Sequence, residues 1–458
     1  MDLKSLFFVL FIIVTVTAHK KSYKGYKVYN VIPNTKDKVN VLKDVESNGI
    51  GEFWMEPYNV NHAVKVMVAK EKQSIFLEQM EKTGIETVEV IKDLQNVIDN
   101  QQKPATTSRS NEAFHSMTWN EYHNLDEINA WLDELVENYP DIVTEVSMGV
   151  SVENRDIKGI KINYNPNNNY IGMLEGTLHA REWISPAVVT WIIKEFLTSN
   201  DPEIRALAEN FEWHIFPVVN PDGYEYSFTD DRMWRKNRNT MYNTTCPGTT
   251  NDDMSNGVDL NRNFGFKWMT VGASDNPCTN TFAGPQAFSE IESRNIAQYV
   301  LNLQSQGEII YYIAFHSFTQ LIVIPYSHVD SAGLLEAENY GDMFEIGIRA
   351  AEKAKERFGT EYRVGASVDV LYPMSGTSFD WVKHEVGVPF TCLIELRDLG
   401  QYGFLLPQEQ IIPNSLEIMD FMLEMDRVTK NLKYYNDASF INHSIFVISF
   451  AVYIARLL

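Results

Sequence analysis

The spacing of apolar residues along the first hundred positions predicts a small α+β unit. Runs of alternating or continuous apolar residues are typical of strands, and apolar residues three or four apart are typical of helices. By these criteria the strands cover 26–30, 53–55, 64–68 and 87–90, and the helices contain 39–45 and 75–80. The order β-α-β-β-α-β predicts a ferredoxin-like sandwich.

A larger set of interleaved strands and helices begins at Asp126. Its first helix places Ile128, Trp131 and Leu135 on one face and ends before Pro140. The predicted strands are 142–148, 157–162, 170–174, 211–219, 309–315 and 389–394, and the further helices start after 185 or cover 289–303, 340–358, 378–386 and 407–430. This order predicts an α/β domain with a mixed, mostly parallel sheet and helices on both faces.

Both ends of the chain have apolar runs that fit neither unit. The run over 6–16 is almost free of polar side chains and precedes Ala18, which predicts a signal peptide over residues 1–18 and a secreted protein. This run is too short to span a membrane. The second run, 441–455, follows small polar residues at 436–439. That order is typical of a lipid-anchor signal, and a membrane tail anchor or a docked C-terminal helix fits it as well.

Composition narrows the class of protein. With 458 residues, of which 44% are apolar, the chain can bury a large core in more than one domain. The net charge of −22 argues against nucleic acid as a partner, because phosphate binding needs a basic face. Cys246 and Cys278 flank a long loop and are predicted to form a disulfide, which leaves Cys392 as a buried thiol in an apolar strand. Three free thiols are the alternative.

Three residues form a candidate metal site. His179 and Glu182 lie three apart where a polar loop meets a predicted helix, so an imidazole and a carboxylate can face one cation. The spacing alone is a weak signal, since His123-x-x-Asp126 shares it. His316 ends an apolar strand and is the candidate third ligand of a zinc ion. The alternative for His316 is a hydrogen-bonded core histidine.

Charged residues at two other places are candidates for chemistry. Glu395 ends an apolar strand, and a buried carboxylate there must be paired, metal-bound or shifted to a higher pKa. An ion pair with Arg397 is the structural alternative to a catalytic role. Arg235, Lys236 and Arg238 form a basic run that is either a solvated patch or a source of positive charge for a site.

A series of short motifs follows the chain of the second unit. In order they are His179-Ala180-Arg181-Glu182, Pro221-Asp222-Gly223-Tyr224, Trp234-Arg235-Lys236-Asn237-Arg238, Val258–Phe264, Ala283-Gly284-Pro285, His316-Ser317, Tyr372, Ser375–Trp381 and Glu395-Leu396-Arg397-Asp398. This series resembles the zinc metallocarboxypeptidases of the pancreatic A/B type. The resemblance runs from about Ser116 to Asn431, and a weaker likeness to the family's propeptide covers about Ser22 to Ile98.

The resemblance implies an exopeptidase that binds one zinc ion per chain and releases single C-terminal residues from peptides and proteins. Matching family positions imply these roles: His179, Glu182 and His316 as zinc ligands, Asp259 orienting His179, Glu395 as general base, Arg238 stabilising the oxyanion, Asn261 and Arg262 binding the terminal carboxylate, and Arg181, Ser317, Tyr372 and Phe379 lining substrate subsites. The general base takes a proton from the attacking water and gives it to the leaving amine.

Specificity is also implied by the resemblance. Phe379 matches the bottom of the pocket for the C-terminal side chain, where family members with an acid select Lys or Arg. Leu393 and Val323 match other positions of that pocket and are apolar too. A preference for hydrophobic C-terminal residues is therefore expected. Phe318 replaces a tyrosine that is usual in the family, which removes a hydroxyl near the substrate subsites.

The family's propeptide covers the cleft until a trypsin-like protease cuts the chain. Here a polar linker begins at Asn100 and contains Arg109, the expected processing site, although a plain interdomain linker has the same composition. The implied division is a signal peptide over 1–18, a propeptide over 19–109, a catalytic domain over 110–433 and a hydrophobic tail over 434–458. We expect a monomer.

Two other classes of function fit the same scaffold. One is a catalytically silent protein that binds zinc or peptides, and the other is a related zinc hydrolase acting on a non-peptide amide. Glu395 favours an enzyme over a binding protein, because binding does not require a general base. Its occurrence together with Arg238, Asn261 and Arg262 strengthens that preference.

Overall fold

The computed structural model describes residues 20–103, 113–247, 255–330, 333–334 and 336–436. The predicted signal peptide, Arg109 and the apolar C-terminal run lie outside the described residues. The described chain folds into an N-terminal domain over 20–103 and a C-terminal domain over 113–436, which pack against each other. No helix in these ranges is both long enough and apolar enough to cross a membrane.

The N-terminal domain has the predicted strand and helix order. Its elements are β1 (Lys27–Ile32), α1 (Lys36–Ser47), β2 (Glu52–Phe53), β3 (Val64–Val68), α2 (Gln73–Thr83), β4 (Glu86–Ile91) and α3 (Leu94–Gln101). The strands form an antiparallel sheet in the order β2-β3-β1-β4. Leu42, Phe76 and Met80 from the helices pack with Val31 and Val66 of the sheet in one apolar cluster.

Helix α3 was not predicted, and it shortens the linker that was expected to begin at Asn100. Asp93 caps the helix by accepting a hydrogen bond from the backbone N–H of Asn96. Leu94 and Ile98 are buried against the C-terminal domain. Gln101 ends the helix and donates from Nε2 to the carbonyl oxygens of Phe404 and Leu406 at 3.3 and 3.1 Å. A contact between domains, and not local helical propensity, therefore stabilises this segment.

The C-terminal domain is built on an eight-stranded sheet. The strands are β5 (Val143–Val150), β6 (Asp156–Ile162), β7 (Tyr170–Gly176), β8 (Glu212–Phe216), β9 (Glu308–Ser317), β10 (Leu321–Ile324), β13 (Arg363–Ala366) and β14 (Phe390–Leu396), with β11 (Val329–Asp330) and β12 (Gly333–Leu334) in a separate hairpin. The order is β13-β10-β14-β9-β7-β8-β6-β5. The central strands β14, β9, β7 and β8 are parallel, while β10, β6 and β5 join by antiparallel pairs. The fold class predicted from the sequence is confirmed.

Helices cover both faces of this sheet, as predicted. They are α4 (Leu125–Asn138), α5 (Ile184–Thr198), α6 (Pro202–Glu209), α7 (Pro221–Thr229), α8 (Ile291–Gln304), α9 (Tyr340–Phe358), α10 (Ser367–Val370), α11 (Ser378–Val386) and α12 (Ile411–Asn431). Side chains of β9 alternate between the two faces: Ile313 packs in the cluster with α5 and α12, and Tyr312 in the cluster with α8 and α11. Both faces are apolar, as a covered parallel sheet requires.

Some boundaries differ from the prediction for local reasons. Helix α5 begins at Ile184, so His179 and Glu182 lie in the turn before it and not within its first turn. The strand predicted over 211–219 ends at Phe216, because Pro217 follows and cannot donate a ladder hydrogen bond. The short elements α6, α7, β10 and β13 have too few residues for a clear hydrophobic period and were missed.

The cysteine prediction is confirmed. Cys246 and Cys278 form a disulfide with a Cα–Cα distance of 5.5 Å, and Cys392 is a buried free thiol in β14. This disulfide joins the loop before residue 248 to the loop that follows Arg262. It therefore stabilises loops that lie next to the candidate site.

A pair of glycine substitutions tests the packing of the central sheet. A Cβ at Gly172 in β7 would overlap the buried ring of Trp213, so Gly172→Ala should lower the free energy of unfolding by about 1–3 kcal/mol. Gly341 in α9 has no atom within 4 Å of its added Cβ, and Gly341→Ala should leave stability unchanged or raise it by up to about 1 kcal/mol. Urea denaturation of both variants checks this. Equal changes in the free energy of unfolding for the two variants would contradict the close packing of Gly172 on Trp213.

Candidate active site

The carboxyl ends of the central strands bring the candidate residues to one edge of the sheet. In the parallel pair β9–β14, His316 and Glu395 are register partners. Strand β7 is parallel to β9 and pairs Gly176 with Phe315, so the turn after β7 reaches the same edge. That turn contains His179 and Glu182. Ligands of open α/β sheets bind at this edge, because neighbouring parallel strands all end there.

His179, Glu182 and His316 form a group in which one ligand atom of each residue lies within 4.8 Å of the others. The Nδ1 atoms of the two histidines are 3.0 Å apart. Glu182 places Oε1 at 2.8 Å from Nδ1 of His179 and Oε2 at 3.0 Å from Nδ1 of His316. All three side chains are buried. Burial alone would raise the pKa of Glu182, but the two histidines hold it well below its usual range.

These residues fit a zinc ion. Two imidazole nitrogens and one carboxylate are the donor set of a catalytic zinc site, as in carboxypeptidase A, and they leave one coordination position open. The Nδ1 atoms of His179 and His316 are 3.0 Å apart, and unless one of them is protonated two lone pairs face each other. A cation bound between the two nitrogens removes this repulsion. No other group of metal-ligating side chains occurs in the part of the chain that the structure describes.

Asp259 lies behind the histidine on the side away from the metal group. Its Oδ1 is 3.0 Å from Nε2 of His179, which fixes the ring so that Nδ1 faces Glu182. Its Oδ2 accepts from Nη2 of Arg235 at 2.8 Å. Burial alone would raise the pKa of Asp259, but Arg235, His179 and Arg262 hold it well below the usual range. The lowered pKa keeps the carboxylate of Asp259 charged at neutral pH.

Glu395 lines a cavity that His179 and Glu182 also line. Its Oε2 atom is buried and has no hydrogen-bond partner among the described residues. Burial and the negative charge of Glu182 raise the pKa of Glu395 well above its usual value, and Arg235 opposes that rise. Arg397 does not pair with it: its Nε donates to Glu417 at 2.9 Å instead. The ion-pair alternative for Glu395 is thus excluded by the geometry.

Asn261, Arg262 and Tyr372 line the cavity opposite Glu395. The guanidinium of Arg262 is oriented by donation to Gly272 O at 2.7 Å, to Asn261 O at 2.8 Å and to the hydroxyl of Tyr372 at 3.1 Å. The side-chain carbonyl of Asn261 accepts from the backbone N–H of Ser378 at 3.0 Å. The amide N–H₂ of Asn261 and the guanidinium edge of Arg262 are consequently the groups that can bind a carboxylate.

The structure corrects the prediction for Arg238. Its guanidinium lies over the rings of Tyr226 and Trp234, at 3.5 and 4.5 Å from their centroids, and it does not line the cavity. Arg235 lines the cavity instead, with Nη1 3.9 Å from Oε1 of Glu182. Three cations within four positions of an irregular loop have no periodicity, so the sequence does not indicate which one faces inward.

The structure also corrects the place of Phe379. This side chain is fully buried in the apolar cluster that contains Leu393, and it does not line the cavity. Leu371, Met374 and Leu393 form one apolar wall of the cavity, and Phe318 and Phe404 line it where Trp54 packs on them. Phe379 is the second residue of α11, and the helix turns its ring toward the sheet. Its influence on the cavity is therefore indirect, through the packing of Leu393.

Of two other predicted site residues, Ser317 and Arg181, only the first lines the cavity. Ser317 lines it, and its backbone N–H donates to Oε2 of Glu182 at 3.2 Å. Arg181 is buried outside the cavity, with Nη1 3.3 Å from Oε1 of Glu52 in the N-terminal domain. Its guanidinium lies 4.2 Å from the ring centroid of Phe404. Arg181 thus contacts the covering domain in this conformation.

The N-terminal domain closes the cavity. Trp54 and Met55 line it together with the residues of the C-terminal domain. The ring of Trp54 packs on Phe318 and Phe404, with centroids 6.3 and 5.5 Å away. The sequence predicted that a propeptide covers the cleft, but it did not identify the residues that make the contact. The only available signal was Phe318, whose missing hydroxyl suits a dry aromatic contact.

Two family models match the chain in the same order as the two domains. The model described as carboxypeptidase activation peptide matches residues 29–101. The model described as zinc carboxypeptidase matches residues 128–420, more than half of the chain. The chain belongs to the zinc carboxypeptidase family. The enzyme class, the zinc cofactor and the family resemblance predicted from the sequence are thereby confirmed.

Individual relatives match between about two thirds and nine tenths of this chain. Zinc carboxypeptidase A 1 of Anopheles gambiae is 36% identical over 418 residues, which are 91% of this chain and 92% of that protein. Carboxypeptidase B of Astacus astacus is 39% identical over 305 residues, 66% of this chain and 95% of that protein. The solved carboxypeptidase A from Helicoverpa armigera has a TM-score of 0.76 at 28% identity and covers 90% of this chain and 98% of that chain.

Substitutions at the metal group and at Glu395 should separate zinc binding from peptide hydrolysis. Glu395→Gln keeps the shape of the side chain but cannot accept a proton, so kcat should fall by at least about a thousandfold while one zinc per chain remains bound. His316→Ala should lose the metal, because two ligands do not retain it. Zinc is measured by elemental analysis alongside peptide hydrolysis. Loss of zinc from the Glu395→Gln variant would show that the ligand set is misassigned.

Proposed function

We propose that this zinc carboxypeptidase is secreted as a zymogen and releases single hydrophobic residues from the C-termini of peptides and proteins. The observation that supports it best is the shared cavity, in which a carboxylate-binding pair, a general base and an apolar wall surround one metal group. Only the C-terminal residue of a peptide carries a free α-carboxylate directly after the scissile bond.

In this proposal Asn261 and Arg262 bind the terminal carboxylate, and Tyr372 closes over the bound residue. Glu395 takes a proton from the attacking water and returns it to the leaving amine. Arg235 replaces Arg238 as the cation that stabilises the oxyanion, since only Arg235 faces the cavity. When bound by His179, Glu182 and His316, zinc acts as a Lewis acid toward the water and the scissile carbonyl.

The proposed specificity depends on the cavity wall. Leu371, Met374 and Leu393 offer no partner for a charged side chain. A cationic residue packed against this wall would lose hydration without compensation, whereas an apolar residue gains by leaving water. The relatives include enzymes named carboxypeptidase A and carboxypeptidase B, so the family alone does not decide between apolar and other C-terminal residues.

The zymogen state is proposed from the contacts of the N-terminal domain. Trp54 and Met55 fill the entrance, and Glu52 accepts from Arg181 and from Nδ2 of Asn280, the latter at 3.0 Å. Lys21 pairs with Asp231 at 2.8 Å and joins the start of this domain to the loop before Arg235. A peptide C-terminus has no route to the metal group while these contacts persist.

The proposed processing follows from the sequence. Residues 1–18 are removed on secretion, residues 19–109 form the propeptide, and residues 110–433 form the catalytic domain, followed by the tail at 434–458. A trypsin-like protease cuts after Arg109. The disulfide between Cys246 and Cys278 agrees with an oxidising extracellular environment.

The specificity is tested with blocked dipeptides that differ only in their last residue. Trypsin-treated protein should hydrolyse the C-terminal Leu substrate at least about tenfold more efficiently, in kcat/KM, than the Lys or Arg substrate. Met374→Asp should reverse this order by supplying a carboxylate at the wall, whereas the matched control Met374→Leu should not. Preference of the parent protein for Lys or Arg would refute the proposed wall chemistry.

Latency is tested on the uncut precursor. Trp54→Ala removes the aromatic contact between the domains but leaves the separate core of the N-terminal domain intact, so the basal activity of the precursor should rise at least about tenfold. Val88 is half-exposed on β4 of the same domain, and Val88→Ala is the control. Arg109→Gln should prevent activation by trypsin. A fully active parent precursor would contradict the closed state.

A further inference from the structure

Two buried carboxylates lie beside the loop that contains Arg235, outside the cavity. Glu290 and Glu292 flank the start of α8 and are 1% and 0% exposed. Among the described residues neither carboxylate forms an ion pair with Lys, Arg or His within 4.0 Å. Buried carboxylates without a cation are costly, and a structure retains them only where hydrogen bonds satisfy them.

The side-chain amide of Asn237 donates a hydrogen bond to each of the two carboxylates. Nδ2 of Asn237 donates to Oε2 of Glu290 at 2.8 Å and to Oε2 of Glu292 at 3.0 Å. Asn239 also donates from Nδ2 to Oε2 of Glu290 at 2.8 Å. The remaining acceptor atoms are used as well: Oε1 of Glu292 accepts from the backbone N–H of Val152 at 2.9 Å, and Oε1 of Glu290 accepts from the hydroxyl of Ser289 at 2.8 Å. Burial raises the pKa of Glu292 to about 7, so two full charges need not coexist at neutral pH.

Asn237 connects this pair to the segment that contains Asp259. Its Oδ1 accepts from the backbone N–H of Val258 at 2.8 Å, and its own N–H donates to Val258 O at 3.1 Å. Val258 directly precedes Asp259, the residue that accepts from Arg235 and orients His179. Asn237 itself lies two residues after Arg235 in the same loop. Asn237 is therefore connected to both partners of the Arg235–Asp259 ion pair: to Arg235 through the backbone, and to Asp259 through the hydrogen bonds with Val258.

Glu290 also contacts the segment that binds the terminal carboxylate. Its backbone N–H donates to Oδ1 of Asn263 at 3.1 Å, and Asn263 directly follows Arg262. The arrangement thus joins the loop of Arg235, the segment of Asp259 and the segment of Arg262 to the rigid start of α8. None of these contacts involves an atom that lines the cavity.

We propose that Asn237, oriented by Glu290 and Glu292, is a positioning residue that holds Arg235 against Asp259 at the place where the oxyanion develops. This inference rests on the catalytic role given to Arg235 above. An arginine displaced by about 1 Å would lose much of its effect on the transition state, and the ground-state complex would change far less. Asn237, Glu290 and Glu292 do not line the cavity, so they act on the reaction through the residues that they position.

The test exchanges amide and carboxylate within this arrangement. Asn237→Asp keeps the size of the side chain but places a third carboxylate against Glu290 and Glu292. In trypsin-treated protein, kcat for the blocked C-terminal Leu dipeptide should fall about 10- to 100-fold, while KM changes less than about threefold and zinc remains bound. Asn295→Asp on α8, which also removes a side-chain amide donor, is the matched control and should keep kcat within about twofold.

A second substitution should rescue the first. In the double variant Asn237→Asp with Glu292→Gln, the new amide can donate to Asp while its carbonyl accepts from Val152, so most of kcat should return. A merely structural defect at Asn237 would not be repaired by a further change in the core. No recovery, or equal loss of kcat and zinc in the single variant, would overturn the proposal.

A readout without turnover separates this proposal from the catalytic one. Amide hydrogen exchange in peptides covering 234–239 and 257–263 should accelerate at least about tenfold in Asn237→Asp and recover in the double variant. Unchanged exchange would overturn the positioning role even if the enzyme were active. An inactive parent protein with this exchange pattern would refute the proposed function and leave the positioning of Arg235 supported.

Discussion

The buried carboxylate of Asp259 is the interaction on which the site depends. It accepts from Nε2 of His179, from Arg235 and from the backbone N–H of Asn261 at 3.0 Å, and these groups belong to three separate segments of the chain. A buried charge with several partners in fixed geometry stabilises only one arrangement of them. Asp259 therefore positions His179 of the metal group, Arg235 and Asn261 relative to one another.

The parallel sheet supplies the second constraint. Because β9 and β14 run in the same direction and in register, His316 and Glu395 emerge side by side at one edge. The turn after β7 brings the other two metal-binding side chains to that edge. The propeptide domain then covers this edge with aromatic contacts from Trp54 and an ion pair from Glu52 to Arg181. One surface thus serves both inhibition and, after processing, access of the substrate.

The sequence predicted the fold from local patterns, and it suggested the site residues from local patterns together with the family resemblance. Polar residues directly after apolar strands indicated His316 and Glu395, and loop-to-helix spacing indicated His179 and Glu182. The prediction was wrong for Arg238, because an irregular loop gives no period from which the inward cation can be chosen. It was wrong for the exposure of Phe379, since the first turn of a helix can face the core or a cavity. Helix α3 was missed although Asp93 is a cap residue and Leu94 and Ile98 are four apart, because the partners that bury it are distant in sequence.

The central claim is that Asn261 and Arg262 recognise a free C-terminal carboxylate beside the metal group. The most direct measurement compares kcat/KM of the processed protein on a blocked dipeptide ending in Leu with that on the same dipeptide carrying a C-terminal amide. The amide substrate has no carboxylate to pair with the buried guanidinium of Arg262. Its kcat/KM should therefore be lower by a factor of about a thousand or more. Hydrolysis of the two substrates with similar efficiency would contradict the account.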